Sequence, residues 1–82
     1  MAEKVIVVKN PETQEEIPVV FNNLSDATEK EAKNYVEYVN AHKGKGSPPV
    51  SSIEVTLCSD GKVDVSYLAV GDKFERIRRI TG

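Results

Sequence analysis

Three arginines stand within four residues near the end of the chain: Arg76, Arg78 and Arg79. They are the only arginines in the 82 residues. Planar guanidinium groups at this density suit bidentate contact with phosphates or carboxylates, and Tyr67 could add a ring for stacking. Phe74 and Ile77 put large apolar groups into the same segment. The competing reading is a solvated or ion-paired strand end, and the chain's net charge of −2 argues against strong attraction to nucleic acid. Nucleic-acid binding is therefore expected to be weak.

The other reactive residue types are isolated. His42 is the only histidine and stands at a helix end beside lysines and glycines, where it suits the negative end of the helix dipole. Cys58 is the only cysteine, so neither an intramolecular disulfide nor a thiolate cluster can form. It stands beside a hairpin turn, on the strand face away from the expected core. Gly44-Lys45-Gly46 follows a helix and does not lie between a strand and a helix start, as a phosphate-cradling loop requires. The carboxylates are scattered. No nucleophile–base pair, metal set or cofactor motif is present, so we expect no catalytic residue, no metal and no cofactor, and a chain that is not an enzyme by itself.

The elements that must position these residues are legible from Ile53 to Tyr67. Ile53, Val55 and Leu57 alternate with Glu54, Thr56 and Cys58; Val63, Val65 and Tyr67 alternate with Lys62, Asp64 and Ser66. Such alternation about a turn signal marks a hairpin with one buried face. A two-residue Asp60-Gly61 turn would set Leu57 opposite Asp64. A three-residue Ser59-Asp60-Gly61 loop, with Gly61 left-handed, sets Leu57 opposite Val63, Val55 opposite Val65 and Ile53 opposite Tyr67. Burial of one face selects the longer loop.

Upstream, Lys4 to Lys9 is β-branched and reads as a strand buried on much of both faces. Ile17 to Phe21 reads as a second strand, either at an edge or starting after Pro18. Asn10 to Glu16 is the turn between them, so the two form a hairpin. Ser25 or Asp26 caps a helix running from about Asp26 to Ala41 or His42, with Ala32, Tyr35, Val36 and Val39 as its apolar stripe. Gly44 or Gly46 ends it. Pro48 and Pro49 lie in a connector. Phe74 to Ile80 suits a strand better than a helix, because the Gly71-Asp72 turn sits where a hairpin needs it. The expected fold is a single α+β domain, ββαβββ: an antiparallel sheet of about five strands with one helix on one face. Its core is Val5, Val7, Val19, Phe21, Tyr35, Val36, Val39, Ile53, Val55, Leu57, Val63, Val65 and Tyr67.

Hydrophobic residues make up 39% and charged residues 29% of the chain, ordinary for a soluble domain. No apolar run approaches the ~20 residues of a membrane span. A lone cysteine in so small a chain points to a reducing, cytoplasmic compartment. The first thirty-one residues hold seven acidic groups against three lysines, opposite in sign to the arginine end.

The run Lys73-Phe74-Glu75-Arg76-Ile77-Arg78-Arg79-Ile80-Thr81-Gly82 resembles the segment leading to the radical glycine of the anaerobic ribonucleoside-triphosphate reductases. It is more similar still to small bacterial proteins that share that segment, and the similarity extends upstream through Cys58-Ser59-Asp60-Gly61-Lys62-Val63-Asp64-Val65-Ser66-Tyr67, and loosely to Asn10-Pro11-Glu12-Thr13. The resemblance places Gly82 at the radical-glycine position and maps no other catalytic residue. The substrate barrel and the paired Cys-x-x-C zinc module of the reductases have no counterpart in this sequence. The Tyr-Leu that follows the glycine in the reductases lies beyond Gly82. The small relatives imply that the natural chain continues past Gly82 with a helical segment. The reading is a non-catalytic accessory or interaction domain with an unidentified protein partner, placed at Phe74, Arg76, Ile77, Arg78 and Arg79.

Overall fold

The computed structural model describes residues 3–44, 46, 48–70 and 73–80; in the last of these spans the described side chains are those of Arg76 and Ile77. The elements are β1 (Glu3–Lys9), β2 (Glu16–Asn22), α1 (Glu29–Lys43), β3 (Val50–Leu57), β4 (Lys62–Ala69) and β5 (Lys73–Ile80). They form one five-stranded sheet in the order β1-β2-β3-β4-β5, with the helix packed on one face. The ββαβββ arrangement is as expected, and residues 73–80 are a strand. One pair differs from a wholly antiparallel sheet: β2 and β3 run parallel. The helix between them supplies the cause. It carries the chain back along the sheet, so the next neighbouring strand starts from the same end.

The hairpin from β3 to β4 has the three-residue loop and the expected register: Ile53 pairs with Tyr67, Val55 with Val65 and Leu57 with Val63. Gly61 has φ 84° and its N–H donates to the Cys58 carbonyl at 3.1 Å, while the Cys58 N–H donates to Lys62 O at 2.9 Å. The helix begins three residues later than the sequence suggests. Its cap is Thr28, whose hydroxyl accepts from the Glu31 N–H at 3.2 Å, while Glu31 Oε1 accepts from the Thr28 N–H at 2.9 Å. Ser25 and Asp26 lie before that start. Thr28-x-x-Glu31 is a reciprocal capping box and satisfies two orphan donors at once, which settles where the helix starts. Gly44, at φ 76°, closes the other end and donates to the Asn40 carbonyl.

The core lies between α1 and the sheet. One row crosses four strands through Phe21, Val55, Val65 and Ile77, all buried, and Phe21 meets Tyr35 of the helix edge-on with ring centroids 6.0 Å apart. Ala32, Tyr35, Val36 and Val39 face this row as the stripe requires, joined by Asn40. Val5 and Val7, expected in the core, are instead 53% exposed. No described element covers the face of β1 that bears them, and the buried positions of that strand are Val8 and, in part, Ile6. Leu57, at the far end of its row, is only partly buried. β2 is an interior strand in spite of Pro18. The β2–β3 ladder starts at Val19, so the missing N–H of Pro18 lies outside it.

Candidate functional site

The arginine segment forms an edge. β5 pairs with β4 along its whole length, from Lys62 opposite Ile80 to Ala69 opposite Lys73, and no described element adjoins its other side. An edge strand presents a row of backbone donors and acceptors to whatever approaches. The register sets Arg76 opposite Ser66 and Arg78 opposite Asp64. Arg76 is exposed; Ile77 is 8% exposed and belongs to the core row, opposite Val65. Of the expected contact residues, then, Arg76 stands at the surface and Ile77 does not. The side chains of Phe74, Arg78 and Arg79, and Gly82 as a whole, lie outside the described residues.

Arg76 also ends a row on the sheet face away from the helix: Val5, Val20, Glu54, Ser66, Arg76. Strand spacing puts Glu54 and Arg76 about 10 Å apart on either side of Ser66. A shallow depression of ≈ 240 Å³ lies here, lined by Val20, Ser52, Glu54, Ser66 and Leu68 among others. Next to it, Asn22 Nδ2 donates to Glu54 Oε2 at 2.9 Å and to Thr56 Oγ1 at 3.0 Å. This face therefore has an acid fixed by a neighbouring amide, a buried hydroxyl and an exposed guanidinium. That set can recognise polar groups of both signs.

The isolated reactive residues remain apart. His42 is exposed at the end of α1, its ring centroid 6.4 Å from that of Tyr67. Cys58 is half-buried, with Sγ 3.9 Å from the Thr56 carbonyl. Among the described residues no group of three or more His, Cys, Asp or Glu is placed to hold a metal ion. Among the described residues no helix is long and apolar enough to cross a membrane.

One polar cluster was not legible as a site in the sequence. Asn10 is fully buried and acts as a hub. Its N–H donates to Glu15 O at 2.8 Å, its carbonyl accepts from the Gln14 N–H at 2.7 Å, and its Oδ1 accepts from the Glu12 N–H and from Asn40 Nδ2, both at 3.0 Å. Lys43 Nζ lies 3.2 Å from Glu12 Oε1 above it. Together they tie the β1–β2 turn to the last turn of α1. Asn10 Nδ2 and Asn40 Oδ1 are buried without a protein partner, so the pair's net contribution is smaller than two amides suggest. The available signal was Asn40 itself, four residues after Val36 and thus on the buried stripe. The cluster closes the turn.

No protein-family model matches the chain, no curated protein matches it in sequence, and no solved structure matches it.

Proposed function

We propose that this chain is a non-catalytic interaction module of the bacterial cytoplasm, which holds a partner protein by adding an extended segment to the β5 edge. The observation that supports this is the place of β5: among the described residues the arginine-bearing strand is the outer strand of the sheet, paired with β4. Edge addition draws affinity from main-chain hydrogen bonds and specificity from side chains beside the edge. Arg76, with Arg78 and Arg79 in the same strand, favours an acidic segment and disfavours a basic one. The resemblance of residues 54–82 to the reductase-like small proteins fits an accessory role and supplies no catalytic residue beyond the Gly82 position.

Affinity capture from a bacterial lysate tests this, comparing the chain with an Arg76→Ala/Arg78→Ala/Arg79→Ala variant. The expected result is loss of specific partners from the variant. Identical partner sets would remove function from this edge. The exposure of Arg76 also keeps a second reading in play, anion or nucleic-acid binding by the same cluster. Titration with single- and double-stranded DNA at two salt concentrations separates the two. A nucleic-acid site loses affinity steeply as salt rises, because phosphate contacts release counterions.

A further inference from the structure

β1 is the opposite edge of the sheet, and its sequence is self-complementary. Glu3, Val5, Val7 and Lys9 alternate with Lys4, Ile6 and Val8. Val5 and Val7 are each 53% exposed, and Glu3 and Lys9 are exposed at the two ends of the same face. We infer that β1 pairs antiparallel with β1 of a second copy of this chain, about a two-fold axis at Ile6.

Geometry and charge select that register. A two-fold axis perpendicular to the sheet keeps both helices on one side, and paired residues then share a face, so the axis must pass through a residue. Centred on Ile6, the pairing uses the whole strand. Val5 of each copy lies opposite Val7 of the other, and Glu3 of each lies opposite Lys9 of the other. Centred on Val5, the register sets Glu3 opposite Val7; centred on Val7, it sets Lys9 opposite Val5. Only the Ile6 register puts apolar against apolar and acid against base at every position of the open face. Within each chain Val5 pairs with Val20, Val7 with Pro18 and Lys9 with Glu16. An apolar row therefore continues across four strands, Val20 and Val5 of one copy followed by Val7 and Pro18 of the other, and Lys9 stands between Glu16 of its own chain and Glu3 of the second copy. Cross-strand apolar and opposite-charge pairs of this kind are the stabilising units of a sheet. A lysine on an edge strand ordinarily guards against pairing. Lys4 is turned away from that role: its Nζ donates to the Ala27 carbonyl of its own chain at 2.8 Å.

The resulting dimer is one continuous sheet built from two five-stranded sheets. Its two outer edges are the β5 strands, so the inference is independent of what β5 binds. If β5 binds a partner, the dimer presents that site twice.

Sedimentation velocity over protein concentrations from about 1 µM to 1 mM tests it. The expected result is a concentration-dependent monomer–dimer equilibrium. Glu3→Lys and Lys9→Glu each turn two attractive pairs into two repulsive ones and should each weaken the dimer about 10-fold, while the Glu3→Lys/Lys9→Glu exchange restores it. Val7→Lys, at an exposed position that the monomer tolerates, should also weaken it. Far-UV circular dichroism confirms that each variant is folded. A monomer at every concentration, a dimer indifferent to the single reversals, or an exchange that fails to restore association would each overturn the inference.

Discussion

Ile53 and Leu57 occupy one strand and one face, yet they should respond differently to truncation. Ile53 is 1% exposed at the centre of the sheet, whereas Leu57 stands at the end of its row and packs against the core from one side. Ile53→Ala should cost about 2–5 kcal/mol, and Leu57→Ala less than half as much, because a half-open site loses less transfer energy and leaves no closed cavity. Urea unfolding of both variants measures the difference. Asn10→Ala removes the acceptor of two hydrogen bonds and strands the Asn40 amide in the interior; a loss of about 1–3 kcal/mol is expected in the same assay. Most of the core was legible residue by residue, because alternation names the face that must be buried. Val5 and Val7 were misplaced for a related reason. A run of β-branched residues looks the same whether a second layer covers its outer face or not, and nothing local to β1 records that α1 packs on the other face of the sheet.

Local chemistry read most clearly in the β3–β4 hairpin and less so at the start of α1. In the hairpin, register and turn agree: the buried face requires three loop residues, and glycine is available at the left-handed one. Gly61→Ala should keep the register and cost about 1 kcal/mol, since a Cβ there meets nothing within 4 Å and only the backbone at φ 84° resists it. At the helix start, three oxygen-bearing side chains compete within four residues, Ser25, Asp26 and Thr28. Spacing allows a capping box from Asp26 to Glu29 as well as from Thr28 to Glu31. Either start leaves Ala32, Tyr35, Val36 and Val39 on one stripe, so the apolar pattern does not choose between the two boxes. Thr28→Ala should cost about 1 kcal/mol, whereas Asp26→Ala should cost close to nothing; thermal unfolding of the two variants distinguishes the caps. The parallel β2–β3 pair is likewise a consequence of where the helix returns the chain. The candidate site was legible in part: the arginine strand and its edge position follow from pattern, while the burial of Ile77 follows from its pairing with Val65, which no spacing within residues 74–80 reveals.

At the scale of the molecule, the sheet has two edges with different chemistry and one central strand, and amide hydrogen exchange should report that arrangement. β3 is paired on both sides and covered by the helix on one face, so its amides should open only with global unfolding and exchange slowest. Among the described strands β1 and β5 are each paired on one side only. Their inward amides should exchange through local opening, and their outward ones freely. Concentration then separates the two edges. If β1 joins a second copy, protection of its outward amides rises as protein concentration passes through the dimer dissociation constant, by the mass action that stabilises any bound form. β5 has no such dependence, because its proposed partner is a different protein. Exchange followed by NMR at two concentrations on either side of that constant should therefore show protection growing between Glu3 and Lys9 and unchanged between Lys73 and Ile80. The Glu3→Lys variant should lose the growth at β1 and leave β3 as slow as before. Protection that grew at β5, or grew equally at both edges, would place self-association at the arginine edge and would displace the partner protein proposed for it.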